Sequence, residues 1–100
     1  MDINRRNFIY AVKNAAKLVR ALSLLQSIGL MAEGSGEDSI GYCIWEAITN
    51  STNIALELMG YDVGDETANA VFLDFIERYN ENDLTDDDII EYYQTYKKNK

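Results

Sequence analysis

The stretch Ile3–Ile28, INRRNFIYAVKNAAKLVRALSLLQSI, decides the fold. At about 100° per residue, Phe8, Ala11, Val12, Ala15, Leu18, Val19, Leu22 and Leu25 fall in one broad sector, which predicts a single long helix laid against a core. Gly29 stands where the residue just past a helix end is expected. Residues 30–37 carry two glycines and no periodicity, as a linker between helices would. Asp38 or Ser39 then caps a second helix running to about Met59, before Gly60. Its core stripe is expected to be Ile40, Cys43, Ile44, Ala47, Ile48, Ser51, Ile54, Ala55 and Leu58. Two long helices joined in this way form an antiparallel hairpin, the first half of a bundle.

Beyond the turn at 60–64, a third helix is expected from about Asp65, whose acidic first turn suits the helix dipole. Ala68, Phe72, Phe75, Ile76 and Tyr79 face inward, and residues 80–83 end it. The fourth helix carries the clearest local signal. Thr85 caps it, Asp88 closes a capping box with a carboxylate one carbon shorter than the usual Glu, and Leu84 staples onto Ile89. Asp86 and Asp87 lie in its positive first turn, and Lys97 and Lys98 lie near its negative end. Ile89, Ile90, Tyr93 and Tyr96 form its packing edge, with Tyr92 turned outward. The expected fold is all-α, a four-helix bundle-like single domain over residues 1–100 with two long helices and two shorter ones.

Composition supports that fold and narrows the chemistry. The 100 residues include no proline, no histidine and one cysteine, with 47% hydrophobic residues. Average usage would supply about five prolines, so their absence favours uninterrupted helices. Without histidine the chain lacks the usual general acid/base and the commonest transition-metal ligand. Cys43, alone, forms no internal disulfide and is expected to fill the core, so no oxidising compartment is required. Basic residues scattered through the apolar N-terminal stretch do not fit a secretory signal core. Glu46, Glu57 and the polar run 49–53 do not fit a bilayer span. A cytoplasmic location is the expectation.

Catalytic and cofactor motifs are missing. The glycines at 29, 34 and 36 match neither GxGxxG nor GxxxxGK[ST], and no acidic cluster has the spacing and glycine of a calcium loop. Asp74-x-x-Glu77 is the only paired-carboxylate step in the interior of an expected helix, with no second one facing it, and a di-iron site would need Glu-x-x-His. The chain is therefore expected to be no enzyme and to hold no metal or cofactor.

Charge is the most informative feature. The formal net charge of −8 divides into +4 over residues 1–32, −15 over residues 33–96 and +3 over the last four. On the first helix, Arg6, Lys13, Lys17 and Arg20 share a sector of about 60° opposite the apolar stripe. A nucleic-acid role for that ridge is disfavoured by the overall charge. It is expected to be a solvated face or a partner for acids elsewhere. The acidic body suggests a basic protein partner, because opposite potentials accelerate association. Asp62, Asp65, Glu66, Asp83, Asp86, Asp87, Asp88 and Glu91 are its candidate contacts. An inhibitor or mimic that occupies a nucleic-acid-binding surface would have this appearance. The alternative is a homo-oligomeric structural or scaffold protein using an aromatic face of the second helix, formed by Tyr42, Trp45, Thr49 and Leu56, since Trp and Tyr dominate interface hot spots. Glu46, Asn50, Asn53 and Glu57 form a polar stripe on that helix, expected to bridge to bases of the first.

Overall fold

The computed structural model describes residues 3–27 and 40–98. Four helices and no strand occur among them: α1 (Ile3–Ser27), α2 (Ile40–Leu58), α3 (Glu66–Asn82) and α4 (Asp86–Tyr96). The expected Gly29 stop, the linker and the Asp38 or Ser39 cap lie outside the described residues. Asn4 sits beside Glu57, Leu58 and Gly60, so the start of α1 lies along the end of α2 and the pair is antiparallel.

Cap chemistry sets the two shorter helices. Asp65 accepts the Ala68 backbone N–H at 2.9 Å and starts α3. Asp83 ends it in the left-handed region at φ 49°, its N–H donating to the Tyr79 carbonyl. In α4 the capping box is complete, with Asp88 accepting from the Thr85 backbone N–H at 2.8 Å. The Asp65 and Thr85 caps satisfy backbone donors that the first turn leaves without intrahelical partners, and the Asp83 N–H satisfies a carbonyl of the last turn. Gly60, at φ 88°, makes the turn out of α2, and a Cβ there would meet the Lys98 Cβ at 3.4 Å. Lys98 donates its N–H to the Met59 carbonyl at 2.8 Å, which ties the chain beyond α4 to the end of α2.

One core joins all four helices. Phe8, Val12 and Ala15 of α1 meet Leu56 and Ala55 of α2, Phe72 and Ile76 of α3, and Ile89, Tyr92 and Tyr93 of α4. Phe8 is its aromatic hub, with ring centroids 6.2 Å from Phe72, 6.2 Å from Tyr92 and 5.0 Å from Tyr93. Asn80 of α3 reaches back to α1, donating to the Ala16 carbonyl at 3.0 Å. The expected α1 stripe is buried as far as Ala15, joined by Ile9 and Ala16, while Leu18, Val19, Leu22 and Leu25 are half-buried.

Helix α2 departs from its expected orientation. Its buried residues are Gly41, Ile48, Thr52, Ala55 and Leu56, whereas Ile40, Cys43 and Ile54 are exposed. The buried sector is thus turned by about 90° from the expected stripe. Thr52 tolerates burial because its hydroxyl donates to the Ile48 carbonyl at 2.8 Å. Two further expectations are corrected. Cys43 is not core filler. On α4, Tyr92 is buried with Tyr93, and it is Tyr96, in the last turn beyond the core, that is exposed.

Candidate protein-interaction surface

The acidic residues follow the helix ends. Asp62, Asp65 and Glu66 surround the start of α3, and Asp83, Asp86, Asp87 and Asp88 surround the α3–α4 junction. The 17 residues of α3 separate the two groups by about 24 Å. Three of these acids also serve the fold. Asp65 caps α3, Asp88 closes the box on α4, and Asp86 accepts from the Lys13 ammonium at 2.9 Å. Asp62, Glu66, Asp87 and Glu91 are exposed, with no ion-pair partner among the described residues. Asp74 pairs with Arg78 one turn along at 3.2 Å, so the one paired-carboxylate step belongs to a surface ion pair. Residues 40–96 hold thirteen acidic side chains, and among the described residues only Asp74 and Asp86 are ion-paired.

Half of the basic ridge is used within the chain. Lys13 is bound to Asp86, and Arg20 donates to the Asn80 side-chain oxygen at 3.3 Å. Arg6 and Lys17 are exposed without such a contact. The expected bridge from Glu46 and Glu57 to bases of α1 does not form. Both are exposed, and neither is ion-paired among the described residues.

The aromatic face divides as well. Tyr42, Trp45 and Thr49 are exposed, but Leu56 is 0% exposed, locked between α1 and α3, and cannot contribute to an interface. Trp45 overhangs a half-open cleft of about 260 Å³ between α2 and the start of α3, lined in part by Thr52, Asn69 and Leu73. Sequence periodicity placed Leu56 beside Trp45 correctly. It could not show that α3 covers only the C-terminal part of that sector.

Two protonation equilibria are displaced. The Asp86 carboxylate holds the Lys13 ammonium above its ordinary range. Burial pushes the Tyr92 phenol well above its ordinary value of 10, reinforced by neighbouring Tyr96. Both groups keep their proton more tightly in the folded chain. Their contribution to stability is therefore complete below the unfolded values and lost as pH rises through and beyond them. Urea midpoints should be level from pH 7 to 9 for these two groups and fall above about pH 10. Circular dichroism during denaturation at pH 8 and pH 11 checks this.

No group of three or more Cys, Asp or Glu side chains among the described residues is arranged to hold a metal ion. No helix there is long and apolar enough to cross a membrane. The fold and surface define the class: a small all-α four-helix domain with an acidic exterior and three bases of its first helix, Arg5, Arg6 and Lys17, outside any ion pair or hydrogen bond among the described residues. A scan against protein-family models, a search of the curated proteins and a search of the solved structures each return no match to this chain.

Proposed function

We propose that this protein is a non-enzymatic, acidic protein-binding module that occupies a basic surface of another protein, of the kind used to hold nucleic acid. The carrying observation is the eleven acidic side chains of residues 40–96 left outside any ion pair. A chain selected for stability alone would intersperse bases among them, because like charges destabilise the compact state. A basic partner relieves that repulsion on binding and is steered to the surface by it. The three unengaged bases of α1, Arg5, Arg6 and Lys17, are too few to overcome a net charge of −8, so direct nucleic-acid binding is no part of this reading.

Neutralisation tests it with residues that fold does not use. Affinity capture from host lysate at 50 mM salt, followed by titration of the captured partner, gives the reference affinity. Replacing Asp62, Glu66, Asp87 and Glu91 with Asn or Gln should weaken binding by at least about tenfold, as should raising salt to 500 mM. Affinity unchanged by both manipulations rejects the proposal. Self-association through Trp45 has lost Leu56, and the stronger case for self-association lies on another face.

A further inference from the structure

Helices α3 and α4 cover one side of the α1–α2 hairpin, and the opposite side carries apolar residues. Of nine large apolar side chains exposed among the described residues, five are Ile3, Tyr10, Leu24, Ile40 and Ile54, each between 53% and 63% exposed. They share one face. On α1, Ile3, Tyr10 and Leu24 lie within about 60° of one another and about 170° from the buried Phe8 and Val12; on α2, Ile40 and Ile54 lie about opposite Leu56.

Their spacing is regular. Positions 3, 10, 17 and 24 of α1 are Ile, Tyr, Lys and Leu, and positions 40, 47 and 54 of α2 are Ile, Ala and Ile. Both rows repeat every seven residues, the period at which a helix keeps one seam toward another helix. Chance exposure of single apolar residues needs no explanation, but two parallel seven-residue rows on one open face are the pattern of an interface.

We infer that this face is the contact of a symmetric homodimer, in which the hairpins of two copies close into a four-helix bundle with α1 of each lying over α2 of the other. Charge selects the second copy as the occupant and fixes the arrangement. Lys17 stands within the α1 row and Arg6 on the same sector as Leu24, while Glu46 and Glu57 border the α2 row, all four exposed and none ion-paired within the described residues. Asn4 is level with Glu57 and Leu58, so along antiparallel helices Arg6 is level with positions about 55–58 and Lys17 with positions about 44–47. A two-fold axis parallel to the helices therefore brings Arg6 beside Glu57 of the partner subunit and Lys17 beside Glu46 of the partner subunit. An axis across the helices would set α1 on α1 and oppose base to base.

The area suffices. The common face is about 28 Å long, the length of the 19-residue α2, and about 20 Å across, so each copy covers at least about 550 Å² and the pair passes the roughly 1,000 Å² a specific interface requires. The one-sided cover also fits the chain's dimensions of 44 × 28 × 22 Å and radius of gyration of 14.2 Å, against about 13 Å for a compact 100-residue domain. Dimerisation on this side leaves the acidic surfaces of α3 and α4 facing outward on both ends.

Sedimentation equilibrium of the full chain between 1 and 200 µM tests the inference. The expected mass is about 23 kDa, twice the 11.4 kDa of one chain. Ile40→Glu with Ile54→Glu should give a monomer of unchanged helicity. Arg6→Glu with Lys17→Glu, and separately Glu46→Lys with Glu57→Lys, should each weaken the dimer by at least tenfold, and an equimolar mixture of the two should restore it as a heterodimer. A single-chain mass throughout the range overturns the inference. So does a dimer that survives the isoleucine substitutions and is lost with Trp45→Glu, which places self-contact at the cleft. A dimer broken by the isoleucine changes but indifferent to both charge reversals overturns the α1-over-α2 arrangement.

Discussion

Phe8→Ala should destabilise the domain by about 3–5 kcal/mol, the usual cost of replacing a buried phenylalanine with alanine. Phe8 is 0% exposed and touches aromatic rings from both shorter helices. Its ring is what α3 and α4 share on α1, so the cavity left behind is bordered by three elements that cannot all collapse into it. Edge-to-face and tilted ring contacts add to the lost transfer energy. A domain of 100 residues has about 5–15 kcal/mol in total, so this one change removes a large fraction of it. Each kcal/mol corresponds to about 4–8 °C at this size, which predicts a fall in Tm of at least about 12 °C. Val63→Ala, at 47% exposure and away from the α1–α2 open face, is the control and should shift Tm by a few degrees at most. Equal effects of the two substitutions would show that Phe8 is not the centre of the core.

Local signals carried the four-helix architecture. The Thr85–Asp88 capping box, the Asp65 cap and the α1 stripe depend on residues within a few positions of one another, and each appears where its pattern is written. Long-range pairings were hidden. Lys13 meets Asp86 across 73 positions, and nothing in the ridge itself distinguishes Lys13 from Lys17. Tyr92, Tyr93 and Tyr96 fall within about 100° of one another on α4, so periodicity alone could not tell which is exposed. The helix end decided it, because Tyr96 lies past the last core layer.

Helix α2 was illegible for a different reason. It is apolar on two sides, with Ile40, Cys43 and Ile54 on one and Trp45 and Leu56 on the other, so its pattern is compatible with two rotations. Sequence reasoning chose the larger stripe as the core. The structure assigns burial to the sector with Thr52 and Leu56, because that is where α3 packs. A threonine able to bond the carbonyl four residues back was the available clue, since its polar group needs no outside partner when buried. Of that stripe Ile48 and Ala55 are buried as expected, while its edge at Ile40 and Ile54 keeps heptad spacing and faces outward, and that mismatch is what motivates a second copy. On that view both sides of α2 are cores, one within the chain and one between chains, which is why hydrophobicity failed to rank them.

Leu56→Asp and Ile54→Asp, two residues apart on one helix, should therefore have very unequal consequences for the monomer. At position 56 the new carboxyl has no water and no partner. Holding it neutral at pH 7 costs about 4 kcal/mol, from an ordinary pKa near 3.9 at about 1.4 kcal/mol per unit. Loss of the buried leucine adds about 2 kcal/mol. The sum, about 6 kcal/mol, is enough to unfold a domain of ordinary stability. At position 54, which is 53% exposed, the carboxylate stays hydrated and the monomer should lose less than about 1 kcal/mol. Urea denaturation followed by Trp45 fluorescence at about 0.05 µM, below the concentrations at which the dimer is sought, isolates the monomer's response. The pH dependence separates a desolvated carboxyl from simple loss of packing. Between pH 7 and pH 4 the deficit of Leu56→Asp relative to the unsubstituted protein should shrink, because the unfolded state then also holds the proton and the cost of neutrality disappears. A deficit constant with pH would mean that position 56 is open to water, and a larger loss at 54 than at 56 would return α2 to the rotation its sequence suggests.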